Sequence, residues 1–381
     1  MMLFPQCFFP QKACTNYSCI PLLPCFGGYM SSEILFFSGF ILFITLVLAL
    51  DLGLFHKHAH TVGFREAIGW SALWIALGVA FYFFLLWFGH LIHNPGTVEE
   101  LQLIVAKYKH PVRIDPDNFK SALAAYRSNL GLEYLTGYLI EKALSVDNIF
   151  VIYLIFITFN VSTRYYHKVL FWGIIGAIVM RFVFIFLSSA LIQEFEWILY
   201  IFGLLLVYTG IHMFLTRNKP ANIDKEHHPM VRFASRFLPV DPGDQSGRFF
   251  TRYKGKRAMT TLFIALLVIE FSDVVFAIDS VPAIFSVTKD PYIVFFSNIF
   301  AILGLRSLFF VISQVIHMFH YLKHGLSLLL VFIGAKMLVH DQLHEAGFTT
   351  THSLLVVAGI LTISMIASII RNYRKKMRER E

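Results

Sequence analysis

Nine stretches of this chain are apolar for long enough to cross a lipid bilayer, which limits what it can fold into. A helix needs about 20 consecutive apolar residues to span the hydrocarbon. The candidates lie at about 34–54, 67–88, 132–157, 168–191, 196–215, 259–287, 292–315, 325–340 and 353–371. Runs this long satisfy their own backbone groups in lipid only as helices. The expectation is an all-α polytopic membrane helix bundle. A soluble domain carries about 25% charged residues; here the share is 15%, and the charges gather between the apolar runs. The net charge of +8 would suit nucleic acid, but the cations sit at membrane flanks, where they orient a protein in the bilayer. Nucleic-acid binding is therefore set aside.

The orientation follows from Lys and Arg. The loops after spans one, three, five and seven hold Lys57 and Arg65, Arg164 and Lys168, ten cations from Arg217 to Arg257, and Lys323. The C-terminal tail RNYRKKMRERE is basic, whereas the loops after spans four, six and eight hold only Lys289. This places the N-terminus outside and the C-terminus in the cytoplasm of a plasma (inner) membrane protein. The linker 89–131 departs from the pattern, but its acids roughly offset Lys107, Lys109, Arg113, Lys120 and Arg127.

All four cysteines (Cys7, Cys14, Cys19, Cys25) fall in a proline-punctuated start without helical period. Met30 is the expected native start, with residues 1–29 an extension. The rest has no thiolate to offer a metal or to act as a nucleophile. The expected division is 1–33 extension, 34–131 two spans and an outer linker, 132–216 a three-helix unit, 217–257 a basic cytoplasmic loop, 258–340 a second three-helix unit, and 341–381 the last span and tail.

The two units resemble each other. EKALSVDNIFV (141–151) aligns with DVVFAIDSVPA (273–283), matching Glu141, Asp147 and Asn148 to Asp273, Asp279 and Ser280. Downstream, GAIVMRFVFIF pairs its Arg181 with Arg306 of AILGLRSLFFV, and LVYTGIHM pairs Gly210 and His212 with Gly334 and Lys336 of LVFIGAKM. A tandem repeat of three helices enters the membrane from opposite sides, so an inverted repeat is expected, as in many secondary transporters.

A charge at mid-bilayer costs about 2.5–3.5 kcal/mol even on mild scales. This chain nevertheless places Glu141, Asp147, Glu270, Asp273 and Asp279 in two spans, with Asp51 at the inner end of the first. At about 100° per residue, Glu141 shares a helix face with Asn148, and Asp273 with Ser280. Asp147 and Asp279 point about 120° away from those partners, so a regular helix does not focus the whole set. Pro282 cannot donate to the carbonyl of Ile278, and an opening beside Asp279 is expected. Arg181 and Arg306 are expected as fixed counter-charges, since a guanidinium cannot coordinate a cation. Lys142 and Lys336 could also pair with the acids. The histidines at 56, 58 and 60 and at 317, 320 and 324 could capture metal or sense pH, though juxtamembrane histidine is common without a role.

Carboxylate, amide, hydroxyl and carbonyl oxygens suit Mn²⁺, Ca²⁺ or Mg²⁺ and, without thiolates, disfavour Cu⁺. Crowded acids repel one another and would exchange protons for metal. The candidate metal ligands are Glu141, Asp147, Asn148, Glu270, Asp273 and Asp279, with Asp51 and Ser280 behind them. No tightly bound cofactor and no catalytic residue is expected, and the partners are the dication, protons and the lipid bilayer.

The strings YLIEKALSVDNIFV and IEFSDVVFAIDSVPAIF resemble the signature helices of the TerC family of integral membrane proteins, and ALDLGLF at the end of the first span is similar to the Alx branch. The resemblance covers about 34–371. It implies a multi-pass membrane protein linked to Mn²⁺ export and, historically, to tellurite resistance. A carboxylate-lined cavity would repel the tellurite oxyanion, so such resistance would be indirect. Three alternatives stay open. An exporter of a basic amino acid would need fewer acids. An intramembrane aspartate hydrolase lacks its GxGD pattern here. A membrane partner or metal sensor would bind metal without flux.

Overall fold

Helices that are apolar all round, with no polar stripe, need a solvent that is itself apolar. Leu42, Trp87, Leu204 and Ile363 stand exposed on the outside of the bundle, as acyl chains allow and water does not. The computed structural model describes residues 27–55, 63–195, 197–216, 229–236, 238–241, 247–253, 255–315, 321–339, 342–343 and 348–378. In chain order these form α1 (Gly27–Phe55), α2 (Phe64–Phe88), α3 (Val98–Tyr108), α4 (Phe119–Thr158), α5 (Tyr166–Glu194), α6 (Ile198–Thr216) and α7 (Pro229–Ser235). There follow β1 (Val240–Asp241), β2 (Phe250–Tyr253), β3 (Lys256–Thr260), α8 (Thr261–Phe285), α9 (Pro291–Ile302), α10 (Leu305–Val315), α11 (Leu322–Leu338) and α12 (Thr350–Arg378).

Among the described residues, six helical segments are long and apolar enough to cross a membrane, and a seventh if α9 and α10 are one bent span. The apolar runs of the sequence predict nine. The two that differ are α4, whose charges exceed what an ordinary span carries, and α11, which is 17 residues long. The protein is a multi-pass membrane helix bundle in either case.

Helix α4 starts well before the expected residue 132, because Asn118 caps it by accepting from the Ser121 N–H at 3.1 Å. Its 40 residues make about 60 Å of helix, twice the hydrocarbon thickness of about 30 Å. It packs against α2, α8, α9 and α12, while α5 packs against α8 and α9, and α6 against α11. Phenylalanines from α1, α2 and α9 fill one core: the rings of Phe40 and Phe296 lie 4.4 Å apart, and those of Phe81 and Phe300 lie 4.6 Å apart.

The opening expected at Pro282 is not a break. Helix α8 continues through Pro282 to Phe285, because a proline so near the helix end removes only one backbone bond. The break lies instead between α9 and α10, which meet at 46°. Gly304 there has φ +80°, and a Cβ at that position would lie 2.5 Å from Trp74 Cβ. Only glycine meets both demands.

Between residues 229 and 260 lie α7 and a small sheet of order β1-β3-β2, an exception to the all-α expectation. β1 runs parallel to β3 with Val240 opposite Met259, and β2 pairs antiparallel with Tyr253 opposite Lys256. Thr260 closes β3 and caps α8, accepting from the Phe263 N–H at 3.3 Å. The cysteines, the histidines at 56, 58, 60, 317 and 320, and the side chain of Asp51 lie outside the described residues.

Candidate cation site

Arg181 sits in the middle of α5, buried away from the surface of the bundle. An isolated buried charge is very costly, so it must find acids. Its Nη1 donates to Glu141 Oε1 on α4 and to Asn298 Oδ1 on α9. Its Nη2 lies 3.5 Å from Asp273 Oδ1 on α8. One guanidinium thus joins four helices and links the first acid of each related segment.

The pairing is incomplete. Asp273 Oδ2 and Arg181 Nε are buried without a hydrogen-bond partner, and the Glu141 and Ser280 side chains lie close enough to interact. A cavity of about 20 Å³ adjoins Arg181 and Asp273, which line it with Ser145 and Asn148 between apolar walls that include Ile174 and Ile269. Such a volume holds about one water-sized guest. The Asp273 carboxylate beside the Asn148 amide and the Ser145 hydroxyl, at a single-atom space, offers oxygen donors of the kind hard cations take.

The structure gathers some of the expected residues and separates others. Glu141 and Asp273 meet across Arg181, Asn148 lines the same cavity, and Ser280 neighbours Glu141. Glu270 acts electrostatically on Asp273 and rests against Gly176 of α5, where any Cβ would collide with its carboxylate. Asp279 points away and accepts from Thr209 Oγ1 on α6 at 3.1 Å. Asp147 is also apart, with Lys323 at the start of α11 as its charged neighbour. Among the described residues, no group of three or more His, Cys, Asp or Glu side chains is arranged to hold a metal ion. Arg181 stands where their charges converge.

Lys142 and Lys336 do not pair with these acids through hydrogen bonds; their Nζ atoms donate to the carbonyls of Ala301 at 3.1 Å and Ser286 at 2.9 Å. Arg181 is the counter-charge that the sequence pointed to, and Arg306 is buried as well. Asn298 was missed. Its signal was an amide in the apolar run YIVFFSNIFAI, without a polar partner in the first half, where Gly173 takes the corresponding place.

The model of the TerC family of integral membrane proteins matches residues 126–376, which include Glu141, Arg181, Asp273 and Asn298. The chain belongs to the TerC family. Relatives of this TerC-family chain align over nearly their whole length. A membrane protein of Myxococcus xanthus is 43% identical over 335 residues, 88% of this chain and 92% of its own. Alx of Escherichia coli strain K12, provisionally named a membrane-bound redox modulator, is 39% identical over 341 residues, 89% of this chain and 96% of its own. A membrane protein of Rickettsia bellii is 36% identical over 336 residues, 87% of this chain and 97% of its own. No solved structure matches the chain.

Proposed function

We propose that this protein is a membrane transporter that exports a divalent metal cation, Mn²⁺ before Ca²⁺, in exchange for protons. The observation that carries the reading is the meeting of Glu141 and Asp273 across Arg181, with Asp273 also lining a small cavity beside Ser145 and Asn148. Oxygen donors without thiolate fit these dications. In this reading Arg181 is a tethered cation that holds the acids when no metal is bound, and the metal takes its place. Moving a dication out against about 100 mV, inside negative, costs about 4.6 kcal/mol, which inward proton flow would offset.

The packing supports an inverted repeat. α4 against α9 and α5 against α8 are the same contact with the halves exchanged, and the third helices of the halves, α6 and α11, pack on each other. Ser327 Oγ donates to the carbonyl of Gly210 across that last pair at 2.9 Å. Such a plan brings the first helix of each half to the transport site. With the basic loops inside, the C-terminus is cytoplasmic and export runs toward the N-terminal side. The redox role in the name of the Alx relatives has no thiol to work through between residues 26 and 381, and regulation of metal levels would connect the two.

Reconstituted protein should carry Mn²⁺ across liposome membranes in response to a pH gradient. Asp273→Asn, chosen because its pairing at 3.5 Å is looser than that of Glu141, should lower the flux tenfold or more. Asp147→Asn and Asp279→Asn should also impair transport. Full flux in all three variants would remove the site, and competition by lysine instead of Ca²⁺ would favour an organic cation.

A further inference from the structure

A second buried polar cluster lies where α1 begins and α8 hands over to α9, separate from Arg181. His93 follows the turn 89–91 that ends α2. Its Nδ1 is 2.7 Å from Glu33 Oε1 on α1, and its Nε2 is 3.0 Å from Asp290 Oδ2 in the α8–α9 junction. His110, just after α3, sets Nδ1 3.0 Å from both oxygens of Glu133 on α4. Its Nε2 has no hydrogen-bond partner and lies 4.0 Å from the same Asp290 Oδ2. The outer oxygens are filled by donors. Asn129 Nδ2 and Thr288 Oγ1 donate to Glu133 at 2.7 and 2.6 Å, and the Tyr292 hydroxyl donates to Glu33 at 3.1 Å.

Counting donors and acceptors shows what this arrangement holds. An ionised carboxylate only accepts, and a neutral imidazole has only one N–H. His93 meets a carboxylate oxygen through each nitrogen. The line Glu33–His93–Asp290 therefore needs one proton more than a neutral ring and two carboxylates supply. Three acids also outnumber two imidazoles in the cluster.

We propose that this cluster is a proton-binding latch. The proton on the Glu33–His93–Asp290 line fastens the start of α1 and the segment before α3 to the α8–α9 junction, and its loss loosens that end of the bundle. The proposal does not depend on the transport reading. A cavity of about 70 Å³ lies next to the cluster, lined by Thr288, which donates to Glu133, together with Lys109 and Lys336.

The other polar groups facing the latch come from four elements. Tyr108 of α3 and Tyr292 of α9 place their rings 4.9 and 5.5 Å from His93. Tyr126 of α4 lies 5.5 Å from His110. Lys107 of α3 acts on Glu33, and Lys336 of α11 and Glu133 act on each other. Burial opposes a charge on His93, but Asp290 and then Glu33 outweigh it and hold its pKa up to about 9. Against its own burial, Asp290 is kept below the usual carboxylate range by His93. The folded value thus exceeds the unfolded one of about 6.5. The stabilisation is complete below that pH and is lost as pH rises through 9.

The test uses the full chain, labelled with ¹⁵N-histidine, in lipid nanodiscs. The resonances that vanish in His93→Gln should show both nitrogens protonated at pH 7.5, with half-titration near pH 9. The thermal midpoint of the native protein should fall between pH 7 and 10, and that of His93→Gln should stay flat and low. If that variant does not fold, Glu33→Gln keeps the shape, removes one charge, and should move the His93 midpoint down by about one pH unit or more. A His93 that titrates near 6.5, or a midpoint unmoved in Glu33→Gln, would overturn the latch.

Discussion

Arg181 lets two helices carry acids into the same buried space. Its removal should therefore cost more than the loss of an ordinary side chain. Arg181→Met leaves Glu141 buried with no bonded cation, and breaking a buried pair from one side typically costs about 3–5 kcal/mol. Thermal unfolding in detergent should register that loss. Adding Glu141→Gln should restore part of it, because the stranded charge is gone; an additive double variant would mean the two do not act as a pair. Arg181→Lys should rescue poorly, since one ammonium cannot reproduce the fork that reaches Glu141, Asn298 and Asp273 together.

At the scale of elements, the bend between α9 and α10 depends on one residue without a side chain. Gly304→Val should destabilise by at least about 1–3 kcal/mol from the backbone alone, with the crowding against Trp74 adding to it. A midpoint equal to that of the native protein would show that the bend has another origin. The bend was not legible in the sequence, because Pro282 looked like the stronger breaker and a lone glycine in an apolar run gives no sign of its φ. That Glu141 shares a face with Asn148, and Asp273 with Ser280, was legible, since helical spacing alone puts each pair on one side of its helix. The separate placing of Asp147 and Asp279 followed from the same geometry. His93, His110, Glu133 and Asp290 were not legible as a set. They come from turns, a connector and the interior of a helix that begins at 119 instead of 132, and no periodicity relates positions that only tertiary folding brings together. Asn298 was hidden for a similar reason.

For the whole molecule, the lack of cysteine between residues 26 and 381 separates its working part from thiol chemistry. Treatment with N-ethylmaleimide should leave Mn²⁺ flux in liposomes unchanged, whereas strong inhibition would give the first 25 residues a role in transport. The guanidinium between Glu141 and Asp273 has a consequence for physiology. On the transport reading, a site that brings its own counter-ion assembles without cargo, so a metal-starved membrane can be stocked with intact, idle copies. The incoming ion must also do the work of evicting a resident, which weakens its apparent affinity by the fraction of time the acids stand free. Such a pump ignores trace metal and responds to surplus, so the same arginine would set the concentration below which the cell keeps its supply.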